Sequence, residues 1–238
     1  MKKIALVTGG SKGIGASTCR TLAREGYFVL IHYNQSKKEA FQLAEEIGGE
    51  PIFANLEQDE DINVMANHLK EKFGKLDILI NNAGIAECES LKDLTRNSFF
   101  KTLQVNLWSH TLLTKLLTPI MDEGSIIFTS SVCAKLPTPD ALSYAASKAG
   151  IEAIVRSLAA ELAPNIRINA VAPSCTDTDM MKKNYSAEDR EWVRENFPMK
   201  RPCDPEDIAE MISFLVSNKA KNITGQVFTV DSGATVRQ

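Results

Sequence analysis

Short apolar runs recur along this chain, and between them lie longer stretches in which apolar positions return every three or four residues. The apolar runs at 3–7, 28–32, 51–54, 76–80, 125–129, 167–172 and 226–230 predict strands, too continuous in hydrophobicity to leave one face wet. The periodic stretches at 16–25, 37–47, 59–73, 99–117, 143–162, 187–195 and 205–216 predict amphipathic helices. Alternation of this kind predicts an α/β fold, a doubly wound parallel sheet of about seven strands with helices on both faces and right-handed crossovers. In an open sheet of this class, ligands bind beyond the carboxyl ends of the strands. The residues with chemistry to offer follow strands here: Gly9 to Gly15, Asn55, Asn81 to Gly84, Ser130 with Ser131, and Pro173 with Ser174.

Composition narrows the class. With 44% apolar residues among 238, the chain can bury one large core, and no Pro-, Gly- or Ser-rich linker divides it, so 1–238 reads as a single domain. A formal charge of −3 leaves no basic footprint for nucleic acid. No stretch reaches the apolar length that spans a bilayer, and the opening residues pass straight into a strand without a signal-peptide pattern. A cytoplasmic protein with no membrane partner is expected. Five scattered cysteines (Cys19, Cys88, Cys133, Cys175 and Cys203) read as reduced thiols, and with three dispersed histidines they predict no metal site.

Two local patterns carry chemistry. After the first strand, Gly9-Gly10-Ser11-Lys12-Gly13-Ile14-Gly15 leads into a helix. Glycines let the backbone approach a phosphate, and the helix N-terminus offers free N–H groups at the positive end of its dipole, so the turn is suited to a pyrophosphate. The second pattern is Tyr144 and Lys148, four residues apart on one helix face. A phenol with an ordinary pKa of about 10 is a poor proton carrier at neutral pH unless a neighbour stabilises its phenolate. A fixed ammonium one turn away is expected to do so.

Taken in order, Thr8-Gly9-x-x-x-Gly13-Ile14-Gly15, Asn81-Asn82-Ala83-Gly84, Asn106, Ser131, Tyr144-x-x-x-Lys148 and Thr224-Gly225 resemble the short-chain dehydrogenase/reductase family over nearly the whole chain. The resemblance implies a Rossmann-type domain and an oxidoreductase interconverting a carbonyl and a secondary alcohol. It implies a catalytic set of Asn106, Ser131, Tyr144 and Lys148. In that set Ser131 holds the substrate oxygen, Tyr144 moves the proton, Lys148 binds the nicotinamide ribose, and Asn106 kinks its helix and serves a water path from Lys148. It places Gly9, Ser11, Lys12, Gly13, Ile14 and Gly15 along the cofactor, with Tyr33, Asn34, Ser36, Asn55, Leu56, Asn82, Ala83 and Gly84. Tyr144, Lys148, Pro173, Thr176 and Thr178 complete the cofactor set at its nicotinamide end.

Cofactor choice turns on charge. A site for NAD(H) typically carries a carboxylate at the end of the second strand, roughly 20 residues past the glycine turn. Here that end reads His32-Tyr33-Asn34-Gln35-Ser36-Lys37, with no carboxylate. Lys12, with Ser36 or Lys37, could bind a 2′-phosphate instead, so NADP(H) is expected, with NAD(H) as the alternative.

The phrasing is most similar to bacterial 3-oxoacyl-(acyl-carrier-protein) reductases. The arginines with which that group meets its acidic carrier are missing from the turns at 121–125 and 163–165, which should weaken such docking and leaves the carrier protein an open partner. Arg167 stands nearby, within a strand. Ser174 replaces the family's usual glycine, where a side chain should restrict the backbone and alter the nicotinamide pocket. Residues 175–203, with Met180, Met181, Tyr185, Trp192, Phe197 and Met199, read as a substrate lid containing a short helix. Alternatives to a reductase of a small-molecule ketone or 3-oxoacyl group are a dehydrogenase of a cyclic diol, sugar or steroid-like alcohol, and a cofactor-sensing protein without catalysis. Surplus apolar residues on the helices at 99–117 and 143–162, together with the resemblance, imply a homotetramer.

Overall fold

The computed structural model describes residues 2–236. One parallel sheet contains β1 Ile4–Val7, β2 Phe28–Tyr33, β3 Glu50–Phe53, β4 Ile78–Asn81, β5 Gly124–Thr129, β6 Ile166–Pro173 and β7 Val227–Val230. Its order is β3-β2-β1-β4-β5-β6-β7. The chain winds outward from β1 through β2 to β3, then returns to lay β4 on the other side of β1. Winding therefore reverses between β1 and β4, and a crevice opens at their carboxyl ends.

Strand side chains alternate between two apolar layers, as the two-residue period of a pleated strand requires. Leu6, Leu30, Leu79, Ile126 and Phe128 face the layer of α3 (Asp59–Phe73), α5 (Ser109–Leu117) and α6 (Leu142–Leu162). Val7, Ile31, Ile80, Ile127 and Val171 face α1 (Gly13–Arg24), α2 (Lys37–Ile47) and α9 (Pro205–Val216). Both faces of the central strands are thus covered, which is why β1, β2, β4, β5 and β6 are buried along almost their whole length, while the edge strands β3 and β7 are not. Among the described residues, no helix is long and apolar enough to cross a membrane.

Three departures from the sequence reading have physical causes. The strand expected from residue 76 begins at Ile78, because Leu76 N–H bonds the Ile120 carbonyl and the Asp77 carboxylate accepts the Ile4 N–H at 2.8 Å. The helix expected at 99–117 starts earlier, as α4 (Arg96–Leu103), where Thr95 and Ser98 form a capping box. It is then interrupted by a π-helical turn, Gln104–Trp108, before α5. The lid contains two helices, α7 (Asp179–Asn184) and α8 (Ala187–Asn196). α7 is six residues long, too short for a hydrophobic period to reveal, and Thr178 caps it through the Met181 N–H.

Candidate active site

The glycine turn lies where β1 and β4 approach most closely. Gly9 adopts φ +62°, and a Cβ there would stand 2.9 Å from the Ala83 Cα, so bare backbone is required at this approach. A Cβ on Gly15 would collide with the Gly9 carbonyl. Lys12 is the N-cap residue of α1 and makes no side-chain cap bond, so the first-turn N–H groups keep their capacity for an anion. Ser11 and Lys12 form the outer lip, while Ile14 packs inward. Among the described residues, no cluster of three or more His, Cys, Asp or Glu could hold a metal.

Cross-ties fix this turn. Asn82 and Ala83 donate their backbone N–H groups to Thr8 Oγ1 at 2.8 and 3.0 Å, and Asn82 Nδ2 donates to the Thr8 carbonyl at 3.0 Å. Asn82 Oδ1 accepts from Thr129 Oγ1 at 3.3 Å, linking the ends of β1, β4 and β5. On the other side stands His32, a residue to which sequence reasoning gave no role. Its Nδ1 accepts the Gly9 N–H at 3.0 Å, and Nε2 lies 3.0 Å from the Ala54 carbonyl. A carbonyl can only accept, so the proton sits on Nε2 and the ring is neutral. Burial holds its pKa down at about 4.

The adenosine side is assembled only in part as expected. Asn34 Nδ2 donates to Asn55 Oδ1 at 3.3 Å, bringing these two together beyond β2 and β3. Ser36 is the N-cap residue of α2, and its hydroxyl makes no cap bond. Tyr33 and Leu56 are not brought to this surface. The Tyr33 ring is buried against Phe53 and Phe41, with ring centroids 5.8 and 6.1 Å away, and Leu56 is buried in the core, because the strand period and the first turn after β3 point both inward.

At the reacting end, Ser131 follows β5 and Tyr144 and Lys148 project from α6. The Ser131 and Tyr144 side chains lie near enough for the serine to favour the phenolate, and Ser131 Oγ accepts the Cys133 N–H at 3.2 Å. Lys148 is 3% exposed, its Nζ donates to the Thr129 carbonyl at 2.6 Å, and burial lowers its pKa to about 8, so it stays charged at neutral pH. The ammonium lies 5.5 Å from the centroid of the Tyr144 ring. Here the structure departs from the expectation of an acidified phenol. Burial pushes the Tyr144 pKa up, as do the nearby Cys133 and Cys88 thiols, while Ser131 opposes the rise. One helical turn stacks the ammonium beside the ring.

Asn106 sits in the π-helical turn, fully buried. It clamps the backbone of Ile85 through Nδ2 to the carbonyl and Oδ1 from the N–H, each at 2.9 Å, and donates to Ser147 Oγ at 3.1 Å. A Cβ on Gly84 would lie 3.3 Å from Asn106 Oδ1 and 3.8 Å from Lys148 Nζ, so Gly84 leaves room between the turn after β4 and the ammonium. One turn past Lys148, buried Glu152 accepts from Ser130 Oγ at 3.3 Å and faces Lys135 at 3.8 Å.

The segment after β6 reaches the glycine turn, where Thr178 meets Gly13. Pro173 ends the strand; Thr176 Oγ1 donates to the Ser174 carbonyl at 3.0 Å and Thr178 Oγ1 to the Thr176 carbonyl at 3.3 Å. Thr178 also packs on Gly13, whose Cβ would be 3.0 Å from its methyl. Ser174 shows no strain: it is not among the residues with positive φ, and its hydroxyl donates to the Asp231 carbonyl at 2.8 Å. Backbone bonds from Cys203 to Cys175 and from Asp177 to Cys203 staple the two ends of 175–203 together. Within it Met181, Val193 and Phe197 are buried, whereas Met180 and Met199 are exposed. Cys88, Cys133 and Cys175 are free thiols near Tyr144 and Tyr185, and burial raises the pKa of Cys88 and Cys175.

Comparison with known proteins agrees with this geometry. The family model described as enoyl-(acyl carrier protein) reductase matches residues 9–235. The 3-oxoacyl-(acyl-carrier-protein) reductase FabG of Staphylococcus epidermidis is 36% identical over 243 residues, covering 98% of this chain and 99% of the relative. The crystal structure of a 3-ketoacyl-(acyl-carrier-protein) reductase from Brucella melitensis complexed with NADH superposes with a TM-score of 0.90 at 31% identity, covering 97% of each chain. The angucycline C-6 ketoreductase LanV with bound NADP gives 0.92 at 31% identity, covering 98% of this chain and 96% of that one.

Replacing His32 by Leu leaves the Gly9 N–H and the Ala54 carbonyl buried without their partner. Each such group costs about 1–3 kcal/mol, so denaturant unfolding near neutral pH should show a loss of about 2–6 kcal/mol. A folded pKa of about 4 against an ordinary 6.5 means that only the unfolded chain takes the proton in that interval. Stability should therefore fall as pH drops from about 6.5 towards about 4, with a shallower slope in the variant. Equal slopes would show that His32 is not a titrating group.

Proposed function

This chain belongs to the short-chain dehydrogenase/reductase family and is an oxidoreductase of the carbonyl–alcohol couple, and we propose that it is an NADP(H)-dependent reductase of a ketone or 3-oxoacyl group. The observation that carries the reading is the Tyr144 ring beside the buried Lys148 ammonium, with Ser131 close to the phenol, at the crevice where the sheet reverses its winding. The glycine turn, the open first turn of α1 and the space beside Gly84 fit a dinucleotide, and Gly9, Gly13, Gly15, Lys12, Asn34, Asn55, Ala83 and Thr178 would hold it. A bound nicotinamide supplies the hydride.

The other steps belong to side chains of the chain itself. Ser131 and Tyr144 direct their hydroxyls at one substrate oxygen, polarising the carbonyl. Burial favours the neutral phenol at rest, which leaves Tyr144 carrying the proton that a reduction consumes. Lys148 binds ribose hydroxyls and opposes the build-up of negative charge as the proton leaves. Asn106 positions Gly84, Ile85 and Ser147 around them. The lid, 175–203, excludes water over the substrate.

Absence of a carboxylate from the end of β2, with Lys12 and Ser36 nearby, supports NADP(H) over NAD(H). Arg167 gives its guanidinium to the Ile223 and Ser217 carbonyls at 3.2 and 3.4 Å, so it is engaged at the amino-terminal edge of the sheet. With Asp122 and Glu123 in the turn before β5, this favours a small free or thioester-linked substrate over one delivered on an acidic carrier. A cleft lined by Phe100, Leu103, Leu107, Trp108 and Ile154, with Phe100 and Trp108 about half exposed, supports pairing of this face between copies in a homotetramer.

NADPH absorbance should fall in the presence of a 3-oxoacyl thioester or a cyclic ketone, with a Michaelis constant for NADPH below that for NADH; a clear preference for NADH would overturn the cofactor reading. Tyr144→Phe should lower kcat by about 100-fold or more while NADPH binding is kept. Turnover unchanged in that variant would reject Tyr144 as the acid. Light scattering should return the mass of four chains, and the mass of one would refute the assembly.

A further inference from the structure

The end of β2 carries no carboxylate, yet the fold supplies one from elsewhere. Glu39, in the first turn of α2, places Oε1 3.0 Å from Lys12 Nζ. From the lid side, Asp179 in the first turn of α7 lies 3.9 Å from the same nitrogen. The packing of Thr178 against Gly13 holds the start of α7 over the glycine turn, so the second carboxylate faces the same cation. The cation at the lip of the turn is thus shared between two acidic side chains from helices on either side. Neither the glycine turn nor the end of β2 predicts this arrangement, because Glu39 stands 27 residues beyond Lys12 in the chain (39 − 12).

We propose that Glu39 is a specificity-determining residue that restrains binding of the cofactor's 2′-phosphate. It occupies the ammonium that the phosphate would take, and its own negative charge opposes a phosphate placed against Lys12. The hydrogen bond from Lys12 also holds the Glu39 carboxyl below the usual range, so this charge is present at neutral pH. The consequence is a narrow margin between NADPH and NADH, set by a competition for one lysine. A 2′-hydroxyl carries no charge and meets no such opposition. Because Lys12 and Glu39 are both roughly half exposed, solvent screens their interaction and the effect is modest, about three- to tenfold. The inference rests on the assignment of Lys12 to the phosphate made above.

Direct titration of the full-length protein with NADPH and with NADH, followed by nicotinamide fluorescence, tests it without reliance on turnover. Glu39→Gln should tighten NADPH about three- to tenfold and leave NADH within about twofold. In a Lys12→Gln background the same substitution should give a smaller gain, since the contested cation is gone. Weaker NADPH binding in Lys12→Gln together with unaltered binding in Glu39→Gln overturns the inference alone. If Lys12→Gln leaves NADPH binding unchanged, the phosphate assignment falls and takes this inference with it. A gain on Glu39→Gln that is equally large in both backgrounds would show that Glu39 does not act through Lys12, and would overturn the competition.

Discussion

A cation buried to 3% exposure has to be satisfied, and the Lys148 ammonium finds its partner in the Thr129 carbonyl at 2.6 Å. An unpaired charge in such a place would cost several kcal/mol, so this bond restricts where α6 can lie over the end of β5. The rest of the reacting centre follows from that placement. Ser131 is two residues beyond Thr129, and Tyr144 is one turn before Lys148, so satisfying one charge brings the two hydroxyls together. The surroundings are kept neutral. Burial, helped by the Lys148 charge, drives His110 down to about 3, and burial raises Tyr144, Cys88 and Cys175 into their protonated forms.

At the opposite side of the crevice the problem is the close approach of backbones. β1 and β4 meet at Gly9 and Ala83 with no room for a side chain, and the polar groups exposed by that meeting are paired by Thr8, Asn82 and His32. Two consecutive asparagines divide the work because successive strand residues point to opposite faces. Asn81 turns inward to Thr114 of α5, at 3.0 Å, and Asn82 crosses to the glycine turn. A neutral His32 continues the series to Ala54, so the ends of β1, β2 and β3 are tied through one imidazole.

The segment at 175–203, proposed as the lid, is held by fewer contacts. Its ends are stapled through Cys175 and Cys203, and the turn after β7 supports it from below, where Ala234 packs with Val193 and Phe197 and Met199 N–H bonds the Ser232 carbonyl. Between those anchors several large side chains stay exposed, including Met180 and Met199. A segment with firm ends and a lightly buried middle is suited to open and close locally while the sheet stays folded.

Alternation of apolar runs and amphipathic stretches was enough to read a doubly wound parallel sheet, because the central strands β1, β2, β4, β5 and β6 bury both faces and the long helices bury one. The glycine turn and the Tyr144–Lys148 spacing were equally legible, since each is a local pattern within one turn or one helix face. Other features depend on residues far apart in the chain. The family resemblance placed Tyr33 and Leu56 along the cofactor, and packing turned both side chains into the core. His32 reads as an ordinary strand residue until Gly9 and Ala54 are brought to its two nitrogens. Ser174 looked like an obstruction and is instead accommodated by the Asp231 carbonyl, 57 residues away. Sequence determined the order of the elements and pointed to Ser131, Tyr144 and Lys148, because periodicity and short motifs are written in neighbouring residues. Tertiary structure alone decided which charges meet, with Lys12 given to Glu39 and Lys148 to Thr129, because a buried or shared charge takes its partner from whatever the folded chain places within a few ångströms.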